Sequence, residues 1–439
     1  MIISHDNSNG YINNAYIGGI VSLITSHSSI TKQVINQGEI YLMVNNSNQI
    51  RDYYGAGFGT ISTSSTTAID VMDVSNSNTV QLASSYTINN QEYVFNTSFS
   101  SHTSLLTTSG GTTVNPSGST NIGGAIKLTG VIIIDKNTSA NLTGIYQSSE
   151  QTIDLGLIYR YAPVVYSLNE SNSYVININY AYNTGDLHFI TTKPMYNQKI
   201  AITANTYGDY INFNYLRNEG NINVDITYPS INTFKLEGSL TDYSANMRIS
   251  GLVGTLNDGY HIYNSYNGGN FNIRNWVDSN MTTLLSVQAV TAKTDTLQYM
   301  LYIGGIAFKN NNSEDVEDPN NVIISSTKKG AIHNSINDGD MNIDLNLYGC
   351  SRIGGIVSIN AGLISSCFNT GTLYNYVALY INPGVSYNSD IGGNQFEVEA
   401  GGIACMITSN KGQIIDSANY GDVYCISPVS NGAGWLNAG

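Results

Sequence analysis

Charge is what this 439-residue chain has least of: 11% of its residues are Asp, Glu, Lys or Arg, with 17 basic against 31 acidic side chains and a formal net charge of −14. A phosphate backbone is held by clustered Lys and Arg, so 17 scattered cations argue against nucleic acid as a partner. No stretch approaches the roughly 18 apolar residues that a spanning helix needs. The start, MIISHDNSNGYINN, has neither the basic nor the apolar region of a secretory leader. Helix caps and a 3.6-residue apolar period are missing throughout, and proline numbers only 7, which leaves a β-rich chain. The four cysteines, Cys350, Cys367, Cys405 and Cys425, show none of the close pairs that zinc sites use. They read as small apolar residues on or near the core. A disulfide would require an exported protein, and connectivity cannot be read from spacing.

What the chain has instead is glycine (43), asparagine (about one residue in eight) and tyrosine (32, against 10 Phe and 2 Trp). These residues recur in order. Ser351 to Leu373, SRIGGIVSINAGLISSCFNTGTL, is the sharpest unit: paired glycines at Gly354 and Gly355, an apolar strand, a second strand at Leu363 and Ile364, and a turn holding Asn369 and Gly371. Copies begin at Gly18-Gly19, Gly57, Gly123-Gly124, Gly251, Gly304-Gly305 and Gly401-Gly402, and end at Asn36-Gln37-Gly38, Asn183-Thr184-Gly185, Asn267-Gly268-Gly269, Asn337-Asp338-Gly339 and Asn419-Tyr420-Gly421. Such periods mean stacked units, each unable to bury its apolar face alone.

Aligned, the copies make physical predictions. The mostly apolar column Ile35, Tyr266, Ile336, Phe368 and Ala418 is expected to point inward, and Arg217 intrudes on it. Glycines 38, 269, 339, 371 and 421 are expected to supply positive φ, with the Asn two residues earlier bonding across the bend. Stacked copies would set Asn over Asn in an amide ladder. The paired glycines mark a corner where coils approach closely. The expected fold is all-β: a β-solenoid, read as a right-handed parallel β-helix of degenerate repeats of about 35–50 residues. At about 22 residues per coil and ~4.8 Å per step the rod would reach about 95 Å. Residues 1–83 and 121–439 would form the solenoid, 84–120 a Ser/Thr-rich irregular insertion, and 308–322 an acidic loop. Both ends look like cut repeats, so the chain is expected to belong to a longer one.

Candidate chemistry is thin. Asp70 with Asp73 could serve as paired carboxylates, but alternation favours an exposed strand face. Glu314, Asp315, Glu317 and Asp318 could ligate calcium, although a solvated loop is the blander reading. Asp338, Asp340, Asn342 and Asp344 alternate along one strand and favour solvent over metal. His261 and His333 lie in neighbouring columns, His5, His27, His102 and His188 are scattered, and no Ser or Cys pairs convincingly with them. No catalytic, cofactor-binding or metal-ligating residue is therefore assigned. Tyr159, Tyr161, Tyr166, Tyr174, Tyr180 and Tyr182 cluster, as do Tyr207, Tyr210 and Tyr215. Outward tyrosines suit contact with glycan or protein, against the plainer role of packing on a wide β surface.

Gly251 to Gly269, GLVGTLNDGYHIYNSYNGG, resembles the GLUG motif almost position for position, and Gly354 to Gly371 resembles it well. The resemblance implies a non-enzymatic, elongated β-helical segment of a bacterial cell-surface or secreted protein, such as an adhesin or the non-catalytic part of an IgA-cleaving protease. H-E-x-x-H is absent, so peptidase activity is not implied. Expected partners are other chains of a surface assembly or a host glycan or protein. A scaffold subunit of a motility or envelope assembly and a β-helical polysaccharide lyase or glycosidase are the rival readings.

Overall fold

The computed structural model describes residues 2–3, 12–26, 34–42, 50–63, 66–78, 80–81, 85–88, 91–94, 125–135, 138–154, 160–167, 174–190, 198–202, 211–228, 245–256, 260–277, 299–310, 330–345, 349–377, 397–408, 412–426 and 435–438. Among them there is no helix, and the strand pairings are parallel apart from one hairpin, Ser85–Ile88 with Gln91–Val94. That hairpin lies in the span expected to be irregular; the rest of 84–120 falls outside the described residues.

The chain is a parallel β-solenoid. One coil shows the plan: Gly349–Gly354, a corner, Val357–Asn360, a second corner, Leu363–Ser365, a bend at Ser366, Phe368–Asn369, a turn, and Leu373–Val377. Each strand pairs in register with its counterpart one coil away. The strand-bend-strand unit containing Asn369 builds the sheet that runs through most of the molecule. Its layers are marked by nine residues in one column: Asn36, Asn76, Gln147, Asn183, Asn218, Asn267, Asn337, Asn369 and Asn419. Nine layers at ~4.8 Å give a stack of about 40 Å rather than 95 Å. The shortfall comes from the coil, which is longer than 22 residues: successive column residues lie as little as 32 and as much as 71 apart.

The column expected to face inward faces out. Ile35 is 50% and Ile336 38% exposed, whereas Asn36, Asn267, Asn337 and Asn369 beside them are buried. Strand alternation can put only one of two neighbours in the core, and here the amide takes the place. Buried amides persist only when bonded. Each of these asparagines donates Nδ2–H twice: to the carbonyl of the glycine two residues on, and to the Oδ1 of the next layer. The glycine bonds are 2.9–3.2 Å for Asn183, Asn218, Asn267, Asn337 and Asn369. The interlayer bonds are 2.7–2.8 Å from Asn183 to Asn218, Asn267, Asn337, Asn369 and Asn419 in turn. The amide ladder is as expected; its burial was not.

The glycines after the asparagines have no left-handed backbone. Beyond Gly38, where a Cβ would meet nothing closer than 3.5 Å, they are there for clearance: a Cβ on Gly269 would meet the Gly220 carbonyl at 2.0 Å, and one on Gly339 the Gly269 carbonyl at 2.1 Å. Positive φ sits instead at the bend of the same sheet, in Asp73, Gly144, Tyr180, Tyr215, Asn264, Asn334, Ser366 and Asp416, at 46° to 69°. The corner glycines do mark close approach, and the obstacle there is the ladder. A Cβ on Gly19, Gly57, Gly130, Gly251, Gly305, Gly355 or Gly402 would fall 2.3–2.7 Å from the carboxamide of that coil's own ladder residue.

Aliphatic residues fill the space around the ladder. Val71, Leu142, Ile178, Phe213, Ile262, Ile332 and Ile364 stack as one fully buried column. After the bend a small residue folds back on the carbonyl two places earlier: Ser265 on Tyr263, Ser335 on His333, Ser417 on Ile415. Cys367 fills the same role with its Sγ 3.3 Å from the Ser365 carbonyl. This fits the reading of the cysteines as small core residues; Cys367, Cys405 and Cys425 are unbridged.

Two outcomes follow. Asn337→Ala strands an amide on each side and should cost about 2–4 kcal/mol, whereas Ile336→Ala next to it should cost less than about 0.5 kcal/mol, as read by urea unfolding midpoints. The Gln147 amide is spent on Ser149 at 2.8 Å, which leaves Asn183 Oδ1 without a donor. Gln147→Asn should close this break and stabilise by about 1 kcal/mol in the same assay.

Candidate binding surface

Because the ladder residue points inward, the residue before it is displayed outside. In the middle coils that outer column reads Tyr146, Tyr182, Arg217, Tyr266, Ile336 and Phe368. The Tyr146 and Tyr182 rings lie 5.2 Å apart, and the Arg217 guanidinium sits between two rings, 5.5 Å from Tyr182 and 5.1 Å from Tyr266. An Arg is thus at home in a column that sequence alone assigned to the core: it faces water and aromatic rings. Glu219, two residues along the same face, accepts from Arg217 Nε at 2.8 Å, from Arg217 Nη2, and from the Tyr182 hydroxyl. The Tyr266 hydroxyl donates to Asp338 at 3.0 Å.

Charge states follow from these contacts. The Tyr182 hydrogen bond and then Arg217 hold the Glu219 carboxyl below its usual range, against the effect of burial. Burial first, and the neighbouring carboxylate second, push the Tyr182 hydroxyl up to about 12. Arg217 is fixed as a cation by Glu219. At neutral pH the cluster is an ion pair framed by neutral phenols, which suits binding and offers no nucleophile.

Beside this column, at the left-handed bend, the Tyr180 and Tyr215 rings stack face to face, 4.8 Å between centroids and 4° from parallel. They are 57% and 44% exposed. Gly144 on one side of the pair carries no side chain, and Asn264 on the other bonds to Asn214 at 3.0 Å. The stacked pair is therefore flanked on one side by a residue without a side chain. Two χ angles per tyrosine make this a rigid contact surface with small ordering cost.

The remaining candidates scatter. Tyr161 and Tyr166 are buried; Tyr161 packs edge-on against Phe189 at 5.7 Å, and burial pushes its hydroxyl far upward. Both are covered by protein rather than outward: Tyr166 alternates with the core residue Val165 and is buried in a separate cluster with Ala56, Ile133 and Ala162. Tyr174 is half-buried. Tyr159, Tyr207, Tyr210, His5, His27, His102, Glu314, Asp315, Glu317 and Asp318 lie outside the described residues. Asp70 accepts from Asn141 at 2.8 Å on the outer face, and Asp73 is exposed at the bend. Asp338 is held by Tyr266 and Thr370, Asp340 accepts the Thr372 N–H at 2.7 Å, and Asn342 and Asp344 alternate outward as expected.

His188 meets Glu150 at 3.2 Å on the surface. His261 is buried, its ring parallel to those of Tyr263 and His333. His333 does find a serine: its Nδ1 lies 2.6 Å from Ser365 Oγ one coil on, a pairing that spacing could not reveal. Burial lowers the His333 pKa and keeps the ring neutral. The Arg217–Glu219 pair was also missed, although its i, i+2 spacing on a strand places both side chains on one face. Among the described residues no group of three or more His, Cys, Asp or Glu gathers as a metal site.

The class is thus a parallel β-solenoid with a buried carboxamide spine and an aromatic outer face. A scan against protein-family models, a search of curated proteins and a search of solved structures found no match.

The shifted ionisations are measurable. Tyr182 should titrate near 12 by phenolate absorbance, and Glu219→Gln should lower it by the share that the carboxylate contributes, the effect of burial remaining. Because the folded-state carboxyl of Glu219 is depressed, its contribution to stability is present above the unfolded carboxylate pKa of about 4.3 and lost as pH falls through the lower folded value. The pH slope of stability in that acid window should shrink in Glu219→Gln.

Proposed function

We propose that this chain is a non-enzymatic structural and adhesive segment of a bacterial cell-surface or secreted protein, and that its outer tyrosine face contacts a glycan or protein. The observation that supports this most is the Tyr180–Tyr215 stack, exposed yet fixed at a bend that repeats in every neighbouring coil. Aromatic area held rigid in water is costly to keep unless it is used, and Tyr and Arg dominate contact energetics. An exterior polar through Asn, Ser and Thr rather than charge agrees with exported β-rich proteins. The resemblance of Gly251 to Gly269 to the GLUG motif points the same way.

A scaffold role in a larger assembly is the second reading. The outer column continues with Ile336, Phe368 and Ala418, and Tyr420, two residues past Ala418, sets its ring 6.2 Å from that of Phe368 and is 71% exposed. Such a stripe suits a protein neighbour. The lyase or glycosidase reading gains no support from Asp70 and Asp73, one bonded to Asn141 and the other at the bend.

A glycan array and a panel of immobilised extracellular-matrix proteins, probed with wild type and a Tyr180→Ala/Tyr215→Ala double variant, test the adhesive reading. Specific binding that falls about tenfold or more in the double variant, with an unchanged unfolding midpoint, is expected; about 1.4 kcal/mol corresponds to tenfold. Binding that is equal in both proteins, or no binding on either panel, would sink it.

A further inference from the structure

A different sheet carries a second feature. Strands Met341–Leu345 and Leu373–Val377 lie side by side in register, with Asn342 opposite Tyr374 and Asp344 opposite Tyr376. All four side chains are on the outer face, since Met341, Ile343, Leu345, Leu373 and Val377 alternate into the core. They line an open groove of about 310 Å³, at the lower end of the range of small-molecule sites, about 300–1,000 Å³. The Tyr374 and Tyr376 rings are within 8° of parallel with centroids 6.4 Å apart, and Tyr424 in the next layer stands 6.2 Å from Tyr374.

One polar atom in the groove wall lacks a donor. Asp344 Oδ1 is covered by protein and has no hydrogen-bond partner. Arg274 stands in register between Asp225 and Asp344 and does not bond that oxygen. Asn342 gives its Nδ2–H to Asn272 at 3.2 Å, in a short outer ladder that continues to Asn223. The layer above Asn342 holds Tyr374, which has no amide to donate back, so the ladder ends in the groove on an acceptor oxygen. A covered carboxylate oxygen without a donor is costly, and here it stands beside two aromatic rings. Asp340 and Asp422 sit at the adjoining turns, where Asp422 accepts from the Tyr424 hydroxyl at 3.3 Å.

We propose that this groove receives a cationic side chain, an ammonium or guanidinium, presented by a partner protein. A cation brings donors and no acceptors, is drawn by the negative charge of Asp344 in the groove wall, and gains from the faces of Tyr374 and Tyr376. A neutral sugar could also stack on the rings, but the charge of the groove and of the whole chain favours the cation. The reading is independent of the Tyr180–Tyr215 face, which lies on another sheet.

The test uses the whole chain with tyrosine rings labelled for NMR, titrated with N-acetyl-arginine amide, N-acetyl-lysine amide and maltotriose. Expected are saturable shifts of the Tyr374 and Tyr376 ring signals with at least one cationic probe, weakened several-fold by high salt and abolished in Asp344→Asn. The same variant should keep or raise the urea midpoint, because a carboxylate that lacks a donor in the free protein is removed. Ring shifts caused by maltotriose and by neither cation would overturn the assignment. So would an absence of shifts with all three probes, or a lowered midpoint in Asp344→Asn, which would make the carboxylate structural.

Discussion

The rest of the structure depends on one demand: the carboxamides buried in the inner layers must be hydrogen-bonded, a demand that fails at the Oδ1 of Asn183 alone among the described ladder residues. Asn337 meets it with one bond within its own turn and one to each neighbouring layer. Both its own geometry and its spacing from the next coil are fixed by those bonds. The constraint then reaches across the coil. The side chain fills the space against the glycine corner, which is why Gly305 sits opposite Asn337 and Gly355 opposite Asn369. The first residue of the corner varies between coils: it is Ala56, Thr129 or Ser250 in three, and Gly18, Gly304, Gly354 or Gly401 in the others, where a Cβ would meet a backbone carbonyl at 1.8–2.1 Å. Thus the two ends of the repeat motif are one packing unit, and glycine and asparagine recur together for a single reason.

A rule that governs only the contact between layers leaves the chain between contacts unconstrained. Coil lengths from 32 to 71 residues stack equally well because each returns the next amide to the same height. Outer positions are equally free, so Arg217 can replace an apolar residue where it is flanked by Tyr182 and Tyr266. The exposed aromatic surfaces lie where the rule is silent: the Tyr180–Tyr215 bend on one sheet, and the rings beside Asp344 on another.

The all-β solenoid, the asparagine ladder and the corner glycines were legible in the sequence, because period and turn chemistry are local. What was misjudged was direction. Ile336 is more apolar than Asn337, so hydrophobicity put Ile336 inside; the stacked amides, each satisfied by the next, reverse that order, and a single repeat cannot show it. The coil length was misread for a related reason: Leu373–Val377 and the strand leading up to Gly354 carry little of the motif, yet they are part of the coil. Among candidate sites, Tyr161 and Tyr180 look alike in sequence and differ only in which way their strands face. His333 and Ser365 lie 32 residues apart and meet only because one coil separates them.

Hydrogen exchange of the asparagine side-chain amides, resolved residue by residue by NMR, tests the spine most directly. The carboxamide protons of Asn218, Asn267, Asn337 and Asn369 should exchange orders of magnitude more slowly than those of the exposed Asn272 and Asn342, with protection approaching that of the core backbone. Exchange of all these side chains at the rate of free amides would contradict the account, since the ladder would then be neither buried nor bonded.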